Sequence, residues 1–325
     1  MVKAIRIHRP GGPEILAWED TEVGDPGPGE ARLRHSAVGL NFIDVYHRTG
    51  LYPLPALPGS IGMEAAGVVE AVGAGVEDIA EGDRVAYAAP PPGAYCEARV
   101  MAADRLVKLP ADIDERQAAA MMLKGMTAEY LLRRTYIVKA GETILFHAAA
   151  GGVGLIACQW AKALGATVIG TVSTREKAEL AASHGCDHPI VTGEEDFVAR
   201  VRDITGGAGV PVVYDSVGRD SFMGSLDCLG PRGVMVSFGQ SSGPMEPLDL
   251  GVLAAKGSLY VTRPTLFTYT ASRDDLVTSA AALFNVVATG KVRIEINQTY
   301  ALANAAQAHR DLEGRKTTGS TLLLP

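Results

Sequence analysis

Six residues, Ala149-Ala150-Gly151-Gly152-Val153-Gly154, have the types and spacing to hold a pyrophosphate. Phosphate oxygens need donors at close range and a positive potential, and a helix N-terminus entered through small residues supplies both. Gly151 and Gly154 fill the second and third glycine positions of a G-x-G-x-x-G fingerprint, while Ala149 stands in place of the first. The flanks give the motif its weight. Ahead of it, Ile144-Leu145-Phe146 reads as a strand. After it, Val153, Ile156, Ala157, Trp160, Ala161 and Leu164 fall on one helix face, and the run Thr167-Val168-Ile169-Gly170-Thr171-Val172 reads as a second strand. Strand, glycine turn, helix and strand imply a bound dinucleotide and redox chemistry; the competing reading is a structural glycine loop without a ligand.

The end of the second strand selects the cofactor. Sites that prefer NAD carry an Asp or Glu there to accept hydrogen bonds from the ribose 2′-hydroxyl. Here the position is Val172, followed by Ser173, Thr174, Arg175 and Lys177. Hydroxyls and two cations suit a 2′-phosphate, so the expected cofactor is NADPH. The alternative is that Arg175 and Lys177 are solvated charges on the first turn of a helix.

The elements that position these residues follow from composition and pattern. With 325 residues, 47% hydrophobic and 21% charged, the chain has enough apolar sequence for a two-domain globular protein. A net charge of −7 argues against an electrostatic nucleic-acid platform as the main role. No uncharged apolar run reaches the ~18 residues of a membrane span, and the charged N-terminus lacks a following apolar leader segment. Cys96, Cys158, Cys186 and Cys228 are scattered without a C-x-x-C pair, which fits reduced thiols and a cytoplasmic location. None of His8, His35, His47, His147, His184, His188 and His309 pairs with a cysteine or acid at ligand spacing, so each reads as a surface or packing residue.

The first third reads as a small β-rich domain with strands at 3–8, 31–40, 65–72, 84–87, 95–100 and 106–108. From Asp114 the pattern turns helical, at 118–122 and 127–135. Strands near Ile144, Val168, Ile190, Val212, Val234 and Leu259 then alternate with helices at 152–164, 175–184, 196–204 and 221–229, the pattern of a six-stranded parallel Rossmann sheet. The remainder carries two helical stretches and a last strand at 321–324, and is too short to stand alone. The fold class is therefore α/β, with the Rossmann domain over 124–262 and a β-rich domain built from 1–123 and 263–325.

Several stretches carry a resemblance. Gly141-Glu142, Leu145, Ala149-Ala150-Gly151-Gly152, Gly154, Gln159 and Lys162 form one signature; Asn41-Phe42-Ile43-Asp44, Gly50-Leu51-Tyr52-Pro53 and Val213-Tyr214-Asp215-Ser216-Val217-Gly218 extend it through nearly the whole chain. In these residues the chain resembles the zinc-free quinone oxidoreductases of the zeta-crystallin type, within the medium-chain dehydrogenase/reductase superfamily. The resemblance implies a GroES-like catalytic domain made from the two chain ends, a Rossmann domain between them, NADPH in the cleft, and a homodimer joined through the strand ending near Val261. By matched position it implies that Ser173 and Lys177 take the 2′-phosphate. It also implies that Asn41, Thr127, Gly152, Val153, Val217, Phe238, Gly239, Ser241, Arg263, Leu266 and Arg315 contact the cofactor, with Gly151 and Gly154 shaping the turn. For Arg263 and Arg315 a surface or domain-joining salt bridge is the competing reading. One departure is Thr192, where a tyrosine often packs near the adenosine.

Zinc dehydrogenases of the superfamily hold their metal with a first-domain Cys, a Gly-His-Glu motif and a later Cys. Here Asn41 and Gly62-Met63-Glu64 take the first two places, a proline-rich link at 88–93 replaces the structural-zinc loop, and a methionine thioether is a poor zinc ligand. No metal is expected. Without a Lewis acid to hold an alkoxide, the substrate must already be activated, as quinones and α,β-unsaturated carbonyls are. The expected reaction is quinone reduction by hydride transfer from the nicotinamide. Asn41 would position the substrate, and Tyr46 and Tyr52 would hydrogen-bond or protonate a developing oxyanion, packing being their competing role. Asp44 reads as structural, and Pro53, Pro55 and Pro58 as a pocket rim. The alternatives are an NADPH-dependent enone or enoyl-thioester reductase and, in a different class, a nucleotide-binding protein with a structural or RNA-binding role.

Overall fold

A computed structural model describes every residue from Met1 to Pro325. The chain packs as two units. One comprises Met1–Met126, Thr270–Ala288 and Ile294–Pro325; the other comprises Thr127–Tyr269 and Thr289–Arg293.

The terminal-segment unit is β-rich, as its short alternating runs require. Its strands are β1 (Val2–Ile7), β2 (Ala17–Thr21), β3 (Glu30–Leu40), β4 (Gly59–Ser60), β5 (Glu64–Val72), β6 (Arg84–Ala88), β7 (Ala98–Ala102), β8 (Val107–Lys108), β15 (Ile296–Ala301) and β16 (Ser320–Leu324). A seven-stranded sheet runs β15-β16-β3-β5-β6-β8 with β7 also paired to β3, and a three-stranded sheet runs β2-β1-β4. Along β3, Ala31, Leu33, His35 and Ala37 alternate inward, the period of two that a half-buried strand imposes. The core gathers Ile5, Ile7, Leu33, Val69, Tyr87 and Tyr95 with Leu323 from β16. Strands β2, β4 and β15 and helix α1 (Phe42–Thr49), which starts directly after β3, have no sequence expectation. The run expected at 95–100 pairs later, as β7, because residue 96 makes only an isolated bridge to Ala4.

Helix α2 (Glu115–Tyr130) is one continuous helix where two stretches were expected, and its last turn widens into a π-turn at Leu131–Thr135. The boundary between Met126 and Thr127 falls inside it.

In the second unit, β9 (Thr143–Phe146), β10 (Thr167–Val172), β11 (His188–Val191), β12 (Val210–Asp215), β13 (Leu229–Ser237) and β14 (Tyr260–Thr262) form one six-stranded sheet in the order β11-β10-β9-β12-β13-β14. Every neighbouring pair is parallel. The crossovers are α3 (Gly152–Ala163), α4 (Arg175–Ala182), α5 (Phe197–Ile204), α6 (Phe222–Cys228) and α7 (Gly251–Ala255). The strand order reverses beside β9, and ligands of such sheets bind beyond the carboxyl ends of the strands at that point. β14 is an edge strand with Tyr260 61% exposed. The stretch from Arg263 to Tyr269, expected with the terminal segments, packs with the sheet, because Tyr269 in α8 (Leu266–Tyr269) stacks on Tyr130 with ring centroids 4.5 Å apart. Residues Thr289–Arg293 join the sheet unit too, held by Gln159, whose Nε2 donates to Arg293 O at 3.0 Å and whose Oε1 accepts from Arg293 N at 2.9 Å. The other two helices, α9 (Arg273–Ala288) and α10 (Ala305–Glu313), belong to the terminal-segment unit.

Candidate active site

In the sheet unit, the glycine turn follows β9 directly. Ala148, not Ala149, takes the left-handed conformation, with φ of 55°, and Ala149 is fully buried with its N–H on Thr171 O at 3.0 Å. This explains why an alanine is accepted at the first fingerprint position. Gly154 has no such latitude: a Cβ there would lie 2.3 Å from Ala148 O. At Gly151 the nearest atom would be 3.2 Å away. Gly151 caps α3 without a side-chain hydrogen bond, so the helix presents backbone N–H groups at its first turn. That geometry fits a pyrophosphate.

Ser173, Val217, Phe238, Gly239, Ser241 and Arg263 all follow the carboxyl ends of β10, β12, β13 and β14, on the same edge of the sheet as the glycine turn. Asp215, fully buried at the end of β12, shapes one of these loops. Its Oδ1 accepts from Val217 N at 2.7 Å and Gly218 N at 3.0 Å; its Oδ2 accepts from Ser221 Oγ at 2.7 Å and Ser225 Oγ at 3.0 Å. Because the Ser225 proton is committed to Asp215, His147 Nε2–H donates to Ser225 Oγ at 2.9 Å, and His147 Nδ1 accepts from Thr171 Oγ1 at 2.8 Å. Burial holds the His147 pKa below its ordinary value, with Asp215 acting the other way, so this ring is the neutral form its hydrogen bonds require. Arg263 is not limited to an ion-pair role: its Nη1 donates to Ser237 O at 2.8 Å and Gly239 O at 3.0 Å, fixing the loop that carries Phe238.

At the end of β10, Val172 is buried and Ser173 and Thr174 are exposed. Thr174 caps α4 by accepting from Lys177 N at 3.3 Å. An acid does stand nearby, from the loop after the neighbouring strand β11: Arg175 Nε lies 3.0 Å from both carboxylate oxygens of Glu194, and Arg175 Nη2 is 2.9 Å from Glu194 Oε2. Thr127 and Leu266 also belong to this unit.

Asn41, Tyr46, Tyr52 and Arg315 belong to the terminal-segment unit. Asn41 is the N-cap of α1 and is gripped by two fully buried carboxylates. Asp44 Oδ2 accepts its backbone N–H at 2.9 Å, and Glu64 Oε2 accepts its Nδ2 at 2.7 Å. Glu64 Oε2 also takes Lys124 Nζ at 3.2 Å, and Glu64 Oε1 takes Leu123 N at 2.7 Å. Gly39 makes room for this, since a Cβ there would sit 2.3 Å from Glu64 Oε2. Tyr46 packs edge-on to Tyr52 at 5.1 Å, and His47 packs against Tyr52 at 6.1 Å.

A directed chain of hydrogen bonds ends on Asp44. Arg48 can only donate, so His309 Nδ1 accepts from its Nη1 at 3.0 Å. His309 Nε2–H then donates to Tyr95 OH at 3.1 Å, and Tyr95 OH donates to Asp44 Oδ2 at 3.0 Å. Two parallel bonds to Glu313, of 2.7 and 2.8 Å, anchor Arg48. Burial pushes the Asp44 carboxyl up to about 7, against the opposing pull of its hydrogen bonds and Lys124. Burial and then Arg48 push His309 down to about 3.

Residues 27–142 match the alcohol dehydrogenase GroES-like domain, and residues 152–279 match the zinc-binding dehydrogenase domain. The chain is 57% identical over 325 residues to the quinone oxidoreductase of Pseudomonas aeruginosa, covering 100% of both. It belongs to the quinone oxidoreductase family. The solved structure of Escherichia coli quinone oxidoreductase complexed with NADPH superposes with a TM-score of 0.98 at 52% identity, covering 99% of this chain and 100% of that one. A 2-haloacrylate reductase from a Burkholderia species is 49% identical over 335 residues, covering 100% of this chain and 99% of its own.

Within this member of the quinone oxidoreductase family the donor set does not fit a metal. No three His, Cys, Asp or Glu side chains converge where an ion could sit, and Glu64 is occupied by an ammonium, an amide and a backbone N–H. Five histidines expected at the surface or in packing roles are buried, and two of them, His147 and His309, are central members of hydrogen-bond chains. Glu64 stood out in sequence only as the last residue of Gly62-Met63-Glu64, while Lys124, Tyr95 and Arg48 carry no sequence signal of their own, because their partners lie 37 to 265 positions away.

Proposed function

We propose that this protein reduces quinones with NADPH and without a metal ion. The observation that carries the reading is the use of Glu64: an ammonium 3.2 Å from its Oε2 supplies the positive charge there and would repel a bound cation. The bound cofactor supplies a hydride from nicotinamide C4. The first-turn N–H groups of Gly152, Val153 and Gly154 hold the pyrophosphate, while Ser173 and Lys177 address the 2′-phosphate. Thr127, Val217, Phe238, Gly239, Ser241, Arg263, Leu266 and Arg315 complete the cofactor contacts, and Gly151 shapes the turn. Asn41 positions the ring and substrate. Tyr46 and Tyr52 are assigned to the carbonyl oxygen, as hydrogen-bond donors or as the source of its proton.

A second reading is supported by the 2-haloacrylate reductase: hydride addition to an alkene activated by a neighbouring carbonyl or carboxylate, using the same residues. NADPH oxidation followed by absorbance with quinones, enones, acyl thioesters and saturated alcohols separates the two. Quinone turnover supports the first reading; turnover of activated alkenes with none of any quinone refutes it in favour of the second. We also read the protein as a cytoplasmic homodimer, on the strength of four unpaired buried thiols and the exposed edge of β14, to be checked by light scattering.

A further inference from the structure

The end of β10 is less cationic than its sequence implies. Arg175 and Lys177 are matched by Glu176 and Glu194, and Glu194 engages the Nε and Nη2 edge of Arg175 with both oxygens at 2.9 to 3.0 Å. Its placement is built in. Thr192, after β11, ties its N–H and its Oγ1 to Val172 O at 3.0 and 3.3 Å, and Glu194 N donates to Val191 O at 2.9 Å. The loop is thereby stitched to the end of β10, with the carboxylate beside the first turn of α4. The neighbouring Glu195 is committed elsewhere, 2.9 Å from Arg200 Nε.

We propose that Glu194 is a specificity-determining residue that competes with the cofactor 2′-phosphate for Arg175. This deepens the NADPH reading above and rests on it. The Arg175 and Glu194 side chains are 77% and 46% exposed, so the pair is held weakly and is open to exchange. A 2′-phosphate carries more charge than a carboxylate and offers the same fork geometry. Arg175 therefore leaves Glu194 for the phosphate when NADPH binds, and the broken pair subtracts from the affinity. NADH offers nothing to exchange with and leaves the pair intact.

The test is the dissociation constants of NADPH and NADH for the full chain, by fluorescence titration, in the parent, Glu194→Gln, Arg175→Ala and the double variant. Glu194→Gln is expected to tighten NADPH by a few-fold, up to about 5-fold, as befits an exposed pair, and to leave NADH unchanged. Arg175→Ala is expected to weaken NADPH, and the double variant to recover part of that loss as the bare Glu194 charge is removed. An unchanged NADPH to NADH ratio in Glu194→Gln overturns the proposal, as does equal tightening of both. Weaker NADPH binding in Glu194→Gln overturns it as well, since Glu194 would then be orienting Arg175 for the phosphate. A parent protein without NADPH preference refutes the cofactor reading instead, so the two failures are distinguishable.

Discussion

Replacing Asp44 with Asn removes a buried charge while keeping its shape. In the parent, Asp44 Oδ2 accepts from Asn41 N and Tyr95 OH, whereas its Oδ1 has no partner. An asparagine oxygen can take the place of Oδ2. Its NH2 then occupies the unpartnered position, a penalty that does not vary with pH. The carboxyl of Asp44 stands at about 7 in the fold against 3.8 ordinarily, so the folded protein binds more protons than the unfolded chain between those values. Stability from this group is therefore fully present below pH 3.8, falls as pH rises, and is lost above about 7. At ~1.4 kcal/mol per pH unit the whole effect is about 4 kcal/mol, of which about 3 kcal/mol falls between pH 5 and 8. Urea unfolding of parent and Asp44→Asn at half-unit intervals over that range should show the variant gaining on the parent by that amount. Comparing the two proteins cancels the contributions of the histidines. Parallel stability curves, or a variant that loses ground as pH rises, would show that hydrogen bonds and Lys124 keep Asp44 ionised throughout.

Other expectations follow from neighbouring features. Glu64→Ala should destabilise the protein by ~3–5 kcal/mol, because Lys124 loses its counter-ion in the interior, and Glu64→Ala with Lys124→Met should recover much of that loss; thermal melts check both. Gly154→Ala should weaken NADPH at least ~10-fold in fluorescence titrations, since a clash of this kind at a positioning turn is of the order of a misplaced contact. Gly151→Ala, with its nearest contact at 3.2 Å, should lose far less. His309, His35 and His47 are pushed by burial to about 3, 4 and 4 from 6.5, so their share of stability is full above pH 6.5 and disappears as pH falls toward those values. His309→Gln keeps an acceptor for Arg48 and a donor for Tyr95, and should flatten the acid limb of a denaturation curve.

The parallel sheet was legible because its strands and the crossover helices α3 to α6 announce themselves locally, whereas the five-residue α7 does not. Phe146, the glycine turn and the apolar face from Val153 to Leu164 lie within one short stretch, and the period changes where the structure changes. Helix α1 was not legible. Its apolar face is short, and the Asn41 that caps it follows the long strand β3 without a break, so the local pattern continues to read as extended. Ala149 left the glycine fingerprint incomplete in sequence, whereas the conformational demand falls on Ala148. The absence of an acid at Val172 was read correctly in sequence, but Glu194, in the loop after β11, comes to lie against Arg175, a juxtaposition that only strand pairing creates. The polar chain from Glu313 to Asp44 was out of reach for the same reason: it joins residues from the first and last segments of the chain.

The position of β16 bears on the order in which the chain can fold as it is made. Its five residues lie between β15, to which they are parallel, and β3, to which they are antiparallel, and Leu322 and Leu323 are fully buried there. The parallel sheet is complete in sequence once Thr262 has been synthesised, and it can consolidate while translation continues. The larger sheet of the other unit cannot close until residues 320–324 have been made, so the end of β3 at Val38–Leu40, although made much earlier, obtains its second neighbour only after the parallel sheet is complete. Until then the Val38–Leu40 end of β3 keeps an open edge, and a nascent chain that has not reached Ser320 carries a folded nucleotide-binding sheet attached to an unclosed one.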